Sequence, residues 1–167
     1  SGYQALGGVM VSDQVGDVLV DKGGEFYHGF TYSGHPVACA VARATLKVMR
    51  DENLVEKVRD QVIPAFSRRW QKLAAHPLVG EARSAGLIGG LELVPRKDSR
   101  QRFAKELKAG ERCRDFCIEQ GLVMRAVGDT MIVAPPFIIT DEQLDELVDK
   151  AWKALDLTQR ALGPARA

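Results

Sequence analysis

The stretch EFYHGFTYSGHPVACAVA, residues 25–42, gathers hydroxyls, histidines and glycines just ahead of an alanine-rich run. Pro36 suits the first turn of a helix, where a missing N–H costs nothing, and Ser33 or His35 is placed to cap it. A donor-rich loop aimed at a helix N-terminus is where backbone N–H groups and the helix dipole collect anions. Gly29 and Gly34 let backbone approach a ligand closely, and Thr31 and Ser33 bring hydroxyls. These are the parts of a phosphate cradle, without a lysine or a Walker pattern. The same residues also suffice for a plain glycine-rich connection whose hydroxyls cap the helix. His28 and His35 lie in irregular chain with no third ligand, so hydrogen bonding within the loop is their default.

A second place for chemistry is GLVMRAVGDTMIVAPPF, residues 121–137. Strand alternation puts Leu122, Met124 and Ala126 on one face and Val123, Arg125 and Val127 on the other. Arg125 is thus a permanent cation between two valines. On a buried face it requires a carboxylate, from the protein or from a ligand, and a guanidinium grips carboxylates bidentately. On an exposed edge strand it requires nothing. A third stretch, GLIGGLELVP, has glycines that resemble part of a nucleotide fingerprint but lacks the strand-to-helix context. Close packing or a bulge accounts for them better. The lysines lie on amphipathic helices or in polar loops, and no Ser-His-Asp order or nucleophile elbow is present.

The elements that carry these residues read as follows. A short buried strand is expected over residues 6–11, then an Asp13-capped helix to about Asp21, and a helix from Pro36 to about Arg50. Asn53 and Glu56 pair as an N-cap and capping box for a helix running to about Ala75, with a kink or restart at Pro64. Strands are expected over 79–84 and 87–94, a polar loop at PRKDSRQ, and a helix over 103–120 stopped by Gly121. Strands over 122–127 and 131–134 follow, joined through GDT. Thr140 and Gln143 form a capping box for a last helix to about Leu157. The fold class is therefore α/β and α+β. Residues 1–75 read as the end of a large α/β domain with long connecting helices. Residues 76–167 read as a small α+β domain with a mainly antiparallel sheet.

Bulk properties set bounds. The 167 residues are 46% hydrophobic and 27% charged, as in a globular protein able to bury a core. Basic and acidic residues number 23 and 22, so no long-range field favours nucleic acid or an anionic membrane. No apolar run approaches the ~20 residues of a membrane span. Cys39, Cys113 and Cys117 form no Cys-x-x-Cys motif and no metal ligand set, so buried thiols in the cytoplasm are expected. The opening SGYQALGGVMVS reads as the interior of a longer protein.

Taken together, SGYQALGGVMVS, HGFTYSGHPVA, HPLVGEARSAGLIGGLELV and GLVMRAVGDTMIVAPPFIIT resemble the C-terminal half of a class III (omega) aminotransferase. The likeness is greatest to enzymes moving amino groups from putrescine, other diamines or omega-amino acids to pyruvate. It implies a fold-type I scaffold, pyridoxal 5′-phosphate (PLP) as cofactor, and a homodimer with active sites at the subunit boundary. It implies that Thr31, with Gly29 and Phe30 beside it, reaches the cofactor phosphate of the partner subunit. Arg125 is implied as the mobile arginine that binds the carboxylate of pyruvate or an amino acid and swings away for a diamine, with Val127 beside it on the pocket wall. The family's Schiff-base lysine falls just upstream of the SGY motif, so this chain by itself is expected to be inactive. An aminomutase, a decarboxylase, or a non-catalytic dimerisation module are the alternatives.

Overall fold

Ser12 ends the irregular opening of the chain by accepting the Val15 amide on its side chain, which starts helix α1, Asp13–Asp21. The cap is therefore Ser12, one residue before the expected Asp13. The computed structural model describes residues 3–98 and 101–163. Ser1 and Gly2 of the SGY motif, residues 99–100 of the expected polar loop, and residues 164–167 lie outside the described residues. The strand expected over 6–11 is not formed. That stretch has no regular structure, and Val9 and Met10 are 90% and 99% exposed. A strand is completed by the neighbour it bonds to, and among the described residues nothing pairs with it.

Helix α2, Pro36–Asp51, begins with proline in its first turn, and His35 Nδ1 accepts the Ala38 amide at 3.4 Å. His35 is thus the cap, while Ser33 Oγ accepts the Phe30 amide at 3.0 Å inside the loop. At the other end Asn53 has φ 48° and donates its amide to the Arg50 carbonyl at 3.1 Å. That is the left-handed position just past a helix, which asparagine tolerates. Asn53 therefore stops α2 and does not hold the extended conformation of the expected N-cap. The chain forms two compact units, Ser1–Asn53 and Leu54–Ala167.

The second unit opens with a broken helical run: α3 (Leu54–Lys57), a π-turn (Val58–Val62), α4 (Ile63–Gln71) and a 3-10 turn (Lys72–Ala75). The break fits Pro64, whose missing N–H and ring prevent an ordinary bond to the carbonyl four residues back. A four-stranded antiparallel sheet follows in the order β1-β2-β4-β3. Its strands are β1 (Val79–Ala85), β2 (Ile88–Leu93), β3 (Arg125–Val127) and β4 (Thr130–Val133). Between β2 and β3 lies α5, Ala109–Glu119, shorter than the helix expected over 103–120. Residues 105–107 form a separate 3-10 turn, and Lys108, with φ 48°, breaks the run. Helix α6, Asp141–Leu162, has both halves of its capping box: Thr140 Oγ1 accepts the Gln143 amide at 3.2 Å and Gln143 Oε1 accepts the Thr140 amide at 3.0 Å.

One sheet face packs on the helices. Phe66 and Trp70 stack with centroids 5.5 Å apart, and Trp70 Nε1 donates to the Gly90 carbonyl. A Cβ on Gly89 would lie 2.7 Å from the Trp70 ring and 2.8 Å from Phe66, so the glycine admits both rings, the close packing that the IGG run suggests. Leu91, Leu93, Met131, Leu144 and Leu155 complete the centre, and Cys113 and Cys117 are buried free thiols within it. Arg69 ties α4 to α6 through Asp141 and, with two nitrogens, Asp145.

His76 is fully buried beneath Trp152, with Nδ1 accepting the Leu78 amide and Nε2 facing Asp156 Oδ1 at 3.2 Å. Because Nδ1 accepts, the proton of the neutral ring sits on Nε2 and is donated to Asp156. Burial lowers the His76 pKa, a shift that Asp156 opposes. The fold thus holds the ring neutral, and its contribution is fully present above the ordinary histidine value of about 6.5. It is lost as the pH falls through the lower folded value. Thermal melts at pH 7.5 and 5.5 should show a larger acid loss for the native chain than for His76→Gln. Equal losses would remove His76 as the cause.

Candidate functional site

The loop before α2 is held by its own backbone. The Ser33 amide donates to the Phe30 carbonyl at 2.9 Å and the His35 amide to the Tyr32 carbonyl at 3.1 Å, with Gly34 at φ 71°. Phe26, His28 and Phe30 meet edge to face in sequence, with centroids 5.9 and 5.8 Å apart. This zipper stacks alternate residues of an extended strip and brings the chain to Thr31. Phe26, Tyr27, Phe30 and Tyr32 are all more than two-thirds exposed, and Thr31 is exposed among them. The Phe30 amide is spent on Ser33, whereas among the described residues the Thr31 amide and hydroxyl are not spent on the turn. A hydroxyl and an amide on one exposed residue, with no acidic side chain between Phe26 and Met49, are donors suited to a phosphate. Gly29 stands in open space, with no atom within 4 Å of where a Cβ would be.

Arg125 opens β3, the edge strand, opposite Ile132 of β4. Leu122 and Met124 point into the core, while Val123, Arg125 and Val127 are exposed, so the alternation read from the sequence is the one observed. The cation is on the open face, and among the described residues no carboxylate forms an ion pair with it. An exposed guanidinium carries no burial penalty and keeps its bidentate donors available for a ligand.

The rest of that face was not singled out from the sequence. Register aligns Arg83, Gly90, Ile132 and Arg125 in one row across the four strands, and Glu81, Glu92, Thr130 and Val127 in the next. The Arg83 side chain lies over Gly90, where a Cβ would sit 3.6 Å from its Cγ and Nε. It pairs with Glu81 at 3.1 Å and lies 3.7 Å from Glu92, whose Oε2 also accepts the Thr130 hydroxyl at 2.7 Å. Alternation within IGGLEL places Glu92 opposite the core-facing Leu91 and Leu93. Its partners emerge only from register.

Gly29, Phe30 and Thr31 thus share one loop, and Arg125 and Val127 share one strand face; the two sets belong to different compact units. The family model for class III aminotransferases matches residues 1–155. The chain is 52% identical over 162 residues to the putrescine–pyruvate aminotransferase of Pseudomonas aeruginosa, covering 97% of this chain and 35% of that one. The chain belongs to the class III aminotransferases. It is also 40% identical over 163 residues to the mitochondrial gamma aminobutyrate transaminase 1 of Solanum lycopersicum, covering 96% of this chain and 32% of that one. Among solved structures, an (S)-enantioselective omega-transaminase of Thermomicrobium roseum matches with TM-score 0.83 at 34% identity, over 89% of this chain and 33% of its own. A PMP-bound aminotransferase of Vibrio fluvialis matches with TM-score 0.76 at 39% identity, over 87% and 31%. The chain spans about a third of the length of these relatives. The mixture of helices with an antiparallel sheet is that of these transaminases. The class III enzymes use PLP as cofactor.

Proposed function

We propose that this chain is the C-terminal part of an aminotransferase that takes an amino group from a diamine or omega-amino acid and gives it to pyruvate. Arg125 carries the reading: a permanent cation on an exposed edge strand, with no ion pair to a carboxylate among the described residues, in a chain half-identical to a putrescine–pyruvate aminotransferase. Arg125 takes the carboxylate of the acceptor and so orients its keto carbon, and Val127 provides apolar wall beside it. When bound, PLP supplies the electron sink that makes the exchange of an amino group feasible. Thr31 donates its hydroxyl and amide to the cofactor phosphate of the partner subunit in a homodimer, with Gly29 and Phe30 shaping the turn. Residues 1–53 belong to the large domain in this reading, residues 54–75 connect, and residues 76–167 form the small domain of a cytoplasmic enzyme. Among the described residues no helix is long and apolar enough to cross a membrane.

Thr31→Ala tests the phosphate contact in the complete enzyme. One hydrogen bond to a charged phosphate is worth about 1.5 kcal/mol, so PLP affinity should fall about tenfold, read as loss of the cofactor's absorbance on dialysis. Retention equal to that of the native enzyme would detach Thr31 from the phosphate. Amine-dependent formation of alanine from pyruvate separates this activity from an aminomutase or decarboxylase. A dimerisation module predicts no turnover in that assay.

A further inference from the structure

The last turns of α6 and the chain that follows β2 border a cavity of about 920 Å³ in the second unit. Its apolar wall is made by Leu78, Phe103, Leu107 and Leu162. Among the described residues three arginines line it, Arg96, Arg102 and Arg160, against a single carboxylate, Asp156. Arg96 is spent: its Nε and Nη2 donate to Asp98 at 3.0 and 2.6 Å. No carboxylate among the described residues forms an ion pair with Arg102 or Arg160. Arg160 is the informative case. It lies four residues after Asp156 on α6, the spacing at which opposite charges meet on a helix. On the same helix Glu146 and Lys150 have that spacing and do pair, at 2.6 Å. Asp156 is drawn the other way, because its Oδ1 accepts Nε2 of the buried His76 at 3.2 Å. The carboxylate thus satisfies a neutral imidazole, and the guanidinium is left over.

We propose that this cavity is a binding site for a monocarboxylate with an alkyl chain or aromatic ring, its carboxylate held by Arg102 and Arg160. Two guanidinia facing one cavity repel each other, and an anion between them replaces that repulsion with two attractions. The apolar body of the ligand lies on Leu78, Phe103, Leu107 and Leu162, which favours an organic anion over a bare inorganic one. Asp156, on the same wall, repels a second negative charge and so disfavours a dicarboxylate. Arg160 also suits the negative end of α6, but that role leaves its N–H donors unused and the cavity unfilled. Arg102 belongs to no helix. The site uses no residue placed in the exchange of the amino group, so it stands or falls separately from the role of Arg125.

The test is calorimetric titration of the complete enzyme carrying Arg125→Met, so that the arginine assigned to the acceptor adds no carboxylate binding of its own. Octanoate should bind saturably, about tenfold tighter than 1-octanol, acetate or the dicarboxylate suberate. Adding Arg102→Gln or Arg160→Gln should each weaken octanoate about five- to tenfold, the size of one partly exposed charge-assisted contact. Both arginines are exposed and form no ion pair among the described residues, so the melting temperature should stay that of the parent. Leu107→Gln should weaken octanoate and leave acetate unchanged. Three results each overturn the site: no saturable binding of octanoate, equal affinity for octanoate and 1-octanol, or an octanoate affinity that neither arginine substitution alters.

Discussion

Replacing Arg125 by methionine in the complete enzyme should raise the KM for pyruvate about a hundredfold and leave kcat/KM for putrescine within a few-fold. Methionine keeps the length and apolar stem of the side chain and removes the charge. A charge-assisted, two-pronged hydrogen bond to a carboxylate is worth about 1.5–3 kcal/mol, and a hundredfold lies inside that span. The asymmetry between substrates is the informative part. Loss of packing or of folded enzyme lowers activity with both, whereas loss of a carboxylate clamp penalises only the substrate that carries one. Arg125→Lys should recover part of the loss, because an ammonium supplies the charge without the planar fork. A pyruvate KM within twofold of the native value would remove Arg125 from the acceptor site.

The position of Arg125 was legible because its causes are local. Leu122, Val123 and Met124 run without regular pairing into β3, which covers only Arg125–Val127 of the strand expected over 122–127. Burial still alternates through all six residues, because alternation survives whatever the chain pairs with. Which of the two faces is open depends on where the helices pack, and here the face that carries Arg125 lies away from them. Thr140 with Gln143, and Gly121 at φ 71° after α5, were readable for the same reason: the bonds they make lie within three or four residues. Residues 6–11 show the opposite case. Their apolar, glycine-punctuated run has the composition of a strand, but a strand needs a partner, and the described residues supply none. Asn53 failed differently. An asparagine between two helices can end one or begin the next, and only its φ of 48° decides. Glu92 escaped because its significance lies in register: Arg83 is nine positions away and Thr130 is 38 positions away in the chain.

Gly110→Ala should destabilise the chain by about 3 kcal/mol, the upper range for forcing atoms into a filled space, and should loosen the carboxylate site with it. A Cβ at residue 110 would lie 2.0 Å from the Gly128 carbonyl oxygen and 3.2 Å from the Asp129 Cα. Those are backbone atoms of the β3–β4 turn, with Gly128 at φ 57°, and no rotamer change moves them aside. Relief therefore requires α5 and the hairpin to separate by about an ångström, which also stretches the Gly110 amide's bond to Asp129 Oδ1. Because Arg125 sits three residues before Gly128, the displaced hairpin carries it along. The urea midpoint should fall, and the complete enzyme should show a raised pyruvate KM. Gly90→Ala is the contrast. Its Cβ would meet Arg83 at an ordinary 3.6 Å, against a side chain free to shift, so its stability should change by under about 1 kcal/mol. Similar losses from both substitutions would mean that the hairpin yields freely, and that its grip on α5 does not position Arg125.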